Sequence, residues 1–585
     1  MYLPLTFKYH DLTIQNISTI DLILQKYHAS ETFYQAIQYE NGNYVMRYPI
    51  GLSIFYLPFY FLADIITPFT SYPADGFSKP YQICILIGCL IYSLIGLFTL
   101  RKVLLFFVDD KYVAITMVII ALGTNYLFHA GIHGQGAMSH NFLFTLYALI
   151  FYYTIVWHKH NKLKDVIFLA LFIGLAMISR ASEVVALLIP ISFNIFNKSS
   201  FFEKIKLLKQ FKNQIILFAI ILIAVNSIQL LYWKYSSGSF FINPYGASNP
   251  GEGLELLHPH FSEILFSFRK GLFIYTPILI FAFMGFHFLW KVKKEIFLSI
   301  LIYCFLSFYI VASWSCWWFG SCFGNRALIP TYVALSIPLA LSVQYFITSK
   351  MKLIFLILVG LFTTLNCFQS WQIYQGILHE SNMSRAYYFS TFLQISPPNE
   401  EQNKLLLRGK INSYEEIFTK NDSLIHSLAN FRIQNFETSR DQISLKDLST
   451  DIKHSGKSSL ILKSGSLQKF SLQESLENLT QKKYTWIKAS LWVFLQEIPM
   501  ENDISIALHM SHNKYIFKLT RPKFNFTTLK INCWNRIEFT YLTPEDLRST
   551  RDRFYFTIEN KGKSPINIDD VLIESYEPII DQSVF

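Results

Sequence analysis

Eight long apolar runs between residues 81 and 370 limit what this chain can fold into more than any other feature. An α-helix rises about 1.5 Å per residue, so about 20 apolar residues are enough to cross a bilayer. The runs lie at 81–100, 112–128, 141–156, 214–232, 271–290, 296–312, 327–347 and 353–370. A soluble protein of 585 residues does not need 52% hydrophobic residues with only 16% charged, so much of the chain must face lipid. Residues 81–370 are therefore predicted to form a polytopic α-helical membrane domain.

Three further apolar stretches have more than one reading. Those at 165–179 and 184–196 are short and are separated only by Arg180-Ala-Ser-Glu183, which fits two short spans or a re-entrant pair. The stretch at 48–67 is interrupted by prolines, and a span there would invert the orientation derived below. We therefore predict an interfacial or half-embedded helix in it, within an exterior segment at residues 1–80.

The distribution of lysine and arginine predicts the orientation of the chain. The loops at 101–111, 157–164, 197–212, 291–294 and 350–352 hold sixteen of these residues, whereas the alternate loops hold six. The positive-inside rule places the first set in the cytoplasm, and the other loops and both chain ends outside it. The net charge of +11 does not indicate nucleic acid, because the basic residues form short clusters between apolar runs.

A β-rich region follows the apolar runs. Residues 371–430 have the composition of a polar connector, and from residue 431 onward short alternating runs, such as 484–493 and 554–559, are separated by turn-forming residues. This pattern predicts an exterior, jelly-roll-like all-β sandwich at residues 431–585. The seven cysteines show no metal-ligand spacing, and we expect no catalytic metal or organic cofactor.

Two exterior loops carry polar residues that a scaffold does not need. The loop at 129–141 holds His133 and His140 beside glycines, which suits the binding of hydroxyl groups or phosphate oxygens, although a flexible turn is the alternative. Arg180 and Glu183 form an opposite-charge pair between two apolar runs. Charges at membrane depth are costly and mark functional sites, and an ion pair that only fixes the hairpin is the alternative.

The other two exterior loops carry cations and tryptophans. Arg269 and Lys270 lie at the exterior mouth of a helix, against the charge bias, and arginine matches the geometry of phosphate. Trp317 and Trp318 precede Arg326 in a glycine-containing loop, which fits a surface that stacks on a substrate and clamps phosphate, or else an interfacial aromatic belt. Cys316 and Cys322 in that loop, at residues 314–326, are close enough in sequence to form a bridge in an oxidising compartment.

Four motifs in this order resemble a known family. They are Tyr48-Pro-Ile-Gly-Leu, Ser139-His-Asn, Ser267-Phe-Arg-Lys-Gly-Leu-Phe-Ile-Tyr-Thr-Pro and Trp317-Trp-Phe-Gly-Ser-Cys-Phe-Gly-Asn-Arg. Over residues 1–375 the chain is similar to bacterial C-type membrane glycosyltransferases, a superfamily that includes protein mannosyltransferases and aminoarabinose transferases. The resemblance implies a polyprenyl-phosphate sugar as donor, an exterior active site, and an acidic residue in the first exterior loop as catalytic base.

The start of the chain departs from that family pattern. In the family a first helix and an acidic residue precede a Tyr-Leu-Pro stretch, and this sequence opens on that stretch at Tyr2-Leu-Pro4. We therefore expect that a first transmembrane helix and the principal acid are missing, and that the chain as written is inactive. Among the remaining carboxylates Asp11 is the candidate base, with Asp21 and Glu31 behind it; a helix-capping or solvated Asp11 is the alternative.

The β-rich region resembles a carbohydrate-binding jelly roll, through His454-Ser-Gly-Lys-Ser-Ser-Leu and Ile568-Asp-Asp-Val-Leu-Ile. Asp569 and Asp570 are candidate ligands of a structural Ca²⁺, and a plain turn is the alternative.

The combined prediction is an inverting glycosyltransferase. It would move a sugar from a polyprenyl phosphate to an exported glycan, lipid or protein, with Asp11 as the base. The donor phosphate would be bound by Arg269, Lys270 and Arg326. The residues that would contact the substrate are His133, His140, Arg180, Glu183, Trp317 and Trp318. Membrane lipids are the expected surroundings. A transporter or flippase of lipid-linked glycans and a non-catalytic anchor for the β-domain are the alternatives.

Overall fold

The computed structural model of the chain describes residues 1–27, 33–39, 41–131, 135–244, 253–403, 405–407, 418–437, 447–463, 469–482, 484–499, 503–512, 515–522, 528–543, 552–562 and 564–579. Contacts divide the chain into a helical unit that ends at Leu406 and a β-rich unit that begins at Leu407. Seven helices in the described residues are long and apolar enough to cross a membrane, and antiparallel sheets follow them. The predicted fold class, a polytopic helical region followed by an all-β region, is confirmed.

The helical unit contains nineteen described α-helices, numbered here in chain order. They are α1 (Tyr2–Phe7), α2 (Ile17–Tyr27), α3 (Gly51–Ile66), α4 (Lys79–Leu104), α5 (Asp110–Leu122), α6 (Tyr126–Gly131), α7 (Ser139–His160), α8 (Leu163–Ser179), α9 (Leu188–Ser192), α10 (Lys198–Gln210), α11 (Lys212–Ser237), α12 (Phe261–Phe266), α13 (Leu272–Tyr275), α14 (Ile280–Val292), α15 (Lys294–Ala312), α16 (Thr331–Thr348), α17 (Lys352–Tyr374), α18 (Arg385–Ser390) and α19 (Glu400–Asn403).

Two of the eight predicted spans are not continuous helices. The run at 112–128 is divided, because α5 ends at Leu122 and α6 begins only at Tyr126. The run at 271–290 is divided at Pro277, where a short 3-10 turn separates α13 from α14. Proline lacks the N–H that a continuing helix needs, so the break there has a local cause. Five of the other six predicted runs fall within α4, α7, α11, α15 and α17. The run at 327–347 begins four residues before α16, in a 3-10 turn over Arg326–Leu328.

The ambiguous pair at 165–179 and 184–196 forms two consecutive segments. The first is α8, and the second is a 3-10 helix over Ala181–Leu187 that continues into α9. The Arg180 guanidinium, just before this segment, lies 5.4 Å from the Phe319 ring at one end of the bundle. Just after the segment, the backbone N–H of Asn194 donates to the Glu295 carbonyl at the start of α15. The second segment therefore runs from one end of the bundle towards the other, as the reading of two short spans requires.

Loops that the charge pattern assigns to one side of the membrane meet in the structure. At the lysine-rich end, the Lys293 ammonium lies 6.0 Å from the Phe107 ring and the Lys159 ammonium 5.6 Å from the Phe106 ring. The alternate loops meet at the opposite end, which we call the site end; it consists of residues 129–131, 135–140, 180–183, 266–271 and 314–326. The lysine-rich loops therefore gather at one end of the bundle and the alternate loops at the other. The side of the membrane that each end faces stays a prediction.

The N-terminal segment packs at the site end. Gly51, the first residue of α3, lies against Ser179 at the end of α8. From there α3 runs antiparallel to α4, with the Phe55 ring 5.3 Å from that of Tyr92. Residues Gly51–Phe69 meet the length and hydropathy of a span, so the half-embedded helix predicted at 48–67 remains a prediction.

The β-rich unit is a sandwich of two antiparallel sheets. Their strands are β3 (His426–Gln434), β4 (Leu448–Ser449), β5 (Ser459–Leu462), β6 (Lys469–Ser475), β7 (Trp486–Leu495), β8 (Ile504–His512), β9 (Tyr515–Thr520), β10 (Trp534–Leu542), β11 (Arg553–Asn560) and β12 (Ile566–Pro578), while β1 (Ala36–Gln38) and β2 (Tyr44–Met46) form a hairpin in the helical unit. One sheet has the order β10-β7-β12-β5-β4 with β3 also paired to β12, and the other has the order β6-β11-β8-β9. Alternate residues of both sheets form one core, for example Leu491, Leu508, Phe556 and Ile568. Two short helices, α20 (Lys420–Ile425) and α21 (Leu476–Leu479), complete this unit.

Candidate functional site

The loop between α15 and α16 turns sharply at the site end. Phe319 has a left-handed backbone with φ of 50°, and Gly320 and Gly324 follow with φ of 72° and 57°. A left-handed phenylalanine is unfavourable and is retained only where the surroundings hold it. Here the guanidinium of Arg180 lies 5.4 Å from the Phe319 ring, which ties this loop to the end of α8.

The buried side chain of Lys270 joins two loops by hydrogen bonds. Its side chain is 1% exposed, and its ammonium donates to the backbone carbonyls of Cys322 and Glu380. Burial lowers the pKa of Lys270, because the charged form loses its hydration. The predicted phosphate-binding cation therefore also joins the loop at 314–326 to the chain that follows α17.

The Arg269 guanidinium lies over an aromatic ring next to Lys270. Its guanidinium carbon is 4.1 Å from the centre of the Trp318 ring, and its Nε donates to the Ser381 carbonyl at 3.0 Å. Trp317 and Trp318 are themselves buried, with exposures of 8% and 9%. The two indoles therefore act as packing surfaces for the loop, and Trp318 orients the Arg269 guanidinium.

Arg326 keeps more of its hydrogen-bonding capacity. Its NH1 group is 3.5 Å from the Ser321 carbonyl, at the limit of a hydrogen bond, and its Nε is buried without a partner among the described residues. The charges of Arg269 and Arg326 both act on Lys270. A buried N–H without an acceptor is costly, so this end of the bundle presents a donor to an anionic ligand.

Two histidines lie next to the same cations. The His129 ring Nε2 is 2.9 Å from the Phe323 carbonyl, and burial lowers the pKa of His129 to about 3. His140, in the first turn of α7, is close enough to Arg180 and Arg326 to interact with their charges, and its Nδ1 is buried without a partner among the described residues. The predicted residue His140 thus lies beside the cation cluster, by which we mean Arg180, Arg269, Lys270 and Arg326. His133 lies outside the described residues.

A pocket opens between Arg180 and the turn that carries Arg326. Its lining residues are Arg180, Ser182, Glu183, Val185, Tyr303, Ser307, Ile310, Val311, Ala327, Pro330 and Thr331. Glu183 accepts hydrogen bonds from the Tyr147 hydroxyl at 2.5 Å and the Ser182 hydroxyl at 3.0 Å, and its Oε1 is 3.9 Å from the Arg180 Nε. The pocket therefore presents a carboxylate, a guanidinium and hydroxyls, which are groups that hydrogen-bond sugar hydroxyls.

Asp11 holds the turn that precedes α2. Its two carboxylate oxygens accept from the backbone N–H groups of Gln15 and Asn16, at 2.9 and 3.0 Å, just before α2 begins. Both N–H groups lie before Ile17, the first residue of α2, so these contacts are those of a turn and not of a helix cap. No contact seen in the described part of the chain joins Asp11 to the cation cluster, Asp21 is exposed, and Glu31 lies outside the described residues. The role of Asp11 as a base stays a prediction.

The remaining cysteine and calcium predictions concern two loops. Cys316 and Cys322 are not joined by a disulfide bond in the described part of the chain. In the β-rich unit Asp569 accepts from the His454 backbone N–H at 2.9 Å, and Asp570 contacts the His454 ring Nδ1 at 2.8 Å. The described residues contain no group of three or more His, Cys, Asp or Glu side chains arranged for a metal ion. The turn reading accounts for these contacts of Asp569 and Asp570, and the Ca²⁺ site stays a prediction.

Several contributors to the site have no signal in the sequence. Asn125 donates to the Phe323 carbonyl at 2.9 Å and accepts from the Tyr332 hydroxyl at 2.7 Å, which holds the loop between α15 and α16 from below. Glu380 offers a backbone carbonyl to Lys270, and any residue type supplies one. His129 lies in the same histidine-rich loop as His133, and that pattern is the only feature of the sequence that points to a role for His129 in the site.

His129 predicts a pH dependence of stability. Its folded-state pKa of about 3 lies below the ordinary value of about 6.5, so the unfolded chain binds a proton that the folded chain does not. The stabilising effect of the neutral ring is present above about pH 6.5 and is lost as the pH falls towards 3. We expect about 2 kcal/mol less stability at pH 5 than at pH 7.5. Thermal unfolding of the purified chain at both values measures it. The variant His129→Asn should lose this part of the pH dependence, and an unchanged dependence would contradict the assignment.

No protein-family model and no curated protein matches the sequence. Among solved structures, the crystal structure of ArnT from Cupriavidus metallidurans in the apo state is similar with a TM-score of 0.37 and 11% identity, over 64% of this chain and 62% of that chain. ArnT bound to undecaprenyl phosphate gives the same score and identity over 65% and 63%. The cryo-EM structure of the arabinosyltransferase EmbB from Mycobacterium smegmatis gives 0.31 and 8%, over 89% and 59%. The chain thus spans about three fifths of the length of these proteins. The likeness is weak, so the functional proposal rests on the residues of the site.

Proposed function

We propose that this chain transfers a sugar from a polyprenyl-phosphate carrier to an exported glycan, lipid or protein. The observation that carries the proposal is the group of cations at the site end. There the Arg326 Nε, which has no partner among the described residues, lies next to a polar pocket with a carboxylate. A lipid-linked donor presents a phosphate at the membrane surface and a sugar beyond it. The cations match the phosphate, and the pocket beside Ala327 matches the sugar hydroxyls.

Arg326 is the proposed clamp on the donor phosphate. A guanidinium donates two parallel hydrogen bonds to a phosphate, and it stabilises the negative charge that grows on the leaving oxygen. Arg269 and Lys270 add positive charge from their buried positions. Because both are held by backbone carbonyls, their charges are in place before the donor binds, which limits the cost of reorganisation.

The proposed reaction is a single displacement with inversion at the anomeric carbon. A carboxylate accepts the proton of the acceptor hydroxyl, and the hydroxyl oxygen forms a bond to the anomeric carbon. The bond between that carbon and the phosphate oxygen breaks, and polyprenyl phosphate leaves with the electron pair. Glu183 is the carboxylate that lines the pocket, and Asp11 is the predicted base that still needs a test.

A transporter of lipid-linked glycans fits the described site less well. Transporters bind their substrates near the middle of the membrane, between broken helices. Here Arg269, Lys270 and Arg326 lie in loops at one end of the bundle. If the chain is instead a non-catalytic anchor, it should not bind the phosphate of a lipid selectively, because an anchor needs no phosphate site.

The proposal is tested by donor binding and product release. Purified full-length chain in lipid nanodiscs is titrated with undecaprenyl phosphate and, separately, with undecaprenol, which lacks the phosphate. We expect binding of the phosphate form at least about tenfold tighter than that of the alcohol. Incubation with a panel of undecaprenyl-phosphate sugars and exported-glycan acceptors should release undecaprenyl phosphate if the proposal is right. The absence of release despite phosphate-selective binding would agree with the inactivity that the family pattern led us to expect, unless transport of the lipid is observed. Equal binding of both lipids favours the anchor, and phosphate-selective binding with transport but without release favours the transporter.

Asp11→Asn tests the predicted base directly. Asparagine has the shape of aspartate and keeps one acceptor oxygen, so the variant should keep the turn before α2 while it loses the carboxylate. Because backbone N–H groups already occupy both carboxylate oxygens, we expect transfer to persist. Loss of a general base would instead lower the rate by about 10² to 10⁴, and a drop of that size in the release of undecaprenyl phosphate would identify Asp11 as the base.

A further inference from the structure

Helix α10 is an amphipathic helix that the catalytic proposal does not use. It covers Lys198–Gln210 and lies between α9 and α11, at the end of the bundle opposite the site. Its start is fixed by a capping box, in which the Asn197 side chain accepts from the Ser200 N–H and the Ser200 hydroxyl accepts from the Asn197 N–H. A helix with defined ends at this position has one side held by protein and one side free to contact the surroundings.

Lys204 anchors the inner side of α10. Its side chain is buried, and its ammonium donates to the carbonyls of Pro190 at 2.6 Å and Phe193 at 3.1 Å. The ammonium also lies 2.5 Å from the Nε2 of His158, at the end of α7. These contacts hold α10 against the bundle in one rotational setting, so the outward side is defined.

The outward side combines two phenylalanines with three lysines. Phe201 and Phe202 are 47% and 58% exposed, and Lys198, Lys206 and Lys209 are exposed on the same half of the helix. At about 100° per residue, these five positions fall within about 140° of one another around the axis. Glu203 is the single acidic residue of α10, so this half is strongly basic.

The position of α10 along the chain puts this half at a membrane surface. Helix α11 begins two residues after α10 ends, is long and apolar enough to cross a membrane, and buries little of its length inside the protein. Most of α11 must therefore face lipid, and its first residue, Lys212, marks the level at which the bilayer starts. A helix that precedes this level, with exposed aromatic rings among lysines, matches an interfacial helix.

We propose that the outward half of α10 docks on the bilayer surface and binds the headgroups of anionic phospholipids. The Phe201 and Phe202 rings enter the boundary between headgroups and acyl chains, and Lys198, Lys206 and Lys209 contact the phosphates. Anionic headgroups are favoured over zwitterionic ones because the lysines add positive charge within a Debye length of the surface. The headgroups would stabilise the outer side of the α9–α11 connection, which Lys204 holds from the inside.

The test compares two lipids around the full-length chain. The protein is reconstituted in phosphatidylcholine vesicles with spin-labelled phosphatidylglycerol or spin-labelled phosphatidylcholine, and electron spin resonance gives the ratio of their association constants. We expect the native chain to prefer phosphatidylglycerol, and the variant Lys198→Gln, Lys206→Gln, Lys209→Gln to reduce that preference at least about threefold. Sodium chloride at high concentration should weaken the preference of the native chain.

A matched control removes the same charge elsewhere. Lys453, Lys457 and Lys530 are exposed on the β-rich unit, and their replacement by glutamine should leave the preference unchanged. The variant with arginine at positions 198, 206 and 209 should keep the preference, and the single variant Lys206→Gln gives the comparison with the least disturbance of folding. The proposal is overturned if the glutamine variants of α10 keep the native preference, or if the control variant loses as much.

Discussion

Replacing Arg326 by alanine is expected to lower the rate of sugar transfer by about 10² to 10³, the cost of removing one donor that stabilises growing charge. The guanidinium lies at the site end with its Nε unpartnered among the described residues, next to the pocket that contains Glu183. Release of undecaprenyl phosphate in nanodiscs measures the rate. Affinity for undecaprenyl phosphate should fall in parallel, because the same group binds the ground-state phosphate.

Two further variants separate geometry from charge. Arg326→Lys keeps the charge but not the two parallel donors, so we expect it to recover only a small part of the rate. Arg101→Ala removes an exposed arginine that pairs with Asp110 at 2.7 Å, at the opposite end of the bundle, and should leave transfer unchanged. Full transfer by Arg326→Lys would remove Arg326 from the phosphate site.

Gly285→Ala is expected to destabilise the helical unit by about 3 kcal/mol, the upper part of the range for overpacking. Gly285 lies in α14 where that helix meets α16, and a Cβ atom added there would lie 2.0 Å from the Pro338 carbonyl oxygen. That oxygen belongs to the backbone, so the two helices must move apart. Small residues at such contacts allow membrane helices to pack closely. Thermal unfolding in detergent measures the loss.

A second glycine provides the matched control. Gly360 lies inside α17, and no atom lies within 4 Å of the position of an added Cβ. Alanine is favoured over glycine in a helix by up to about 1 kcal/mol, so Gly360→Ala should be neutral or stabilising. Equal effects of the two substitutions would show that the close approach at Pro338 does not limit the packing of α14.

The architecture was largely readable in the sequence because its signals are local. A run of about 20 apolar residues has few alternatives to a spanning helix, and alternation with period two predicted β7 and β11 within a few residues. Local breaks were harder to see. The run at 112–128 contains Gly123-Thr124-Asn125 and the run at 271–290 contains Thr276-Pro277, where the helices are divided. The high hydrophobicity on both sides of these residues made each run resemble one continuous span.

The candidate site shows the same division between local and distant information. Unusual charges in apolar surroundings singled out Arg180, Arg269, Lys270 and Arg326, since a cation near a membrane is costly wherever the chain folds. Their partners come from distant positions: Lys270 donates to carbonyls 52 and 110 residues further along the chain. A carbonyl has no residue type, so no sequence pattern announces such a partner.

By itself, the sequence determined the order of the units, the membrane character of the first and the sheet character of the second. Each follows from hydrophobicity and periodicity over about 10 to 20 neighbouring residues. Only the tertiary structure decided which cations are hydrogen-bonded within the protein and which has an N–H group left to bind a ligand. Lys270 and Arg269 donate to backbone carbonyls, whereas the Nε of Arg326 has no partner among the described residues. The physical reason is that hydrogen bonds form between groups that packing brings within about 3 Å, and that packing joins residues far apart in the chain.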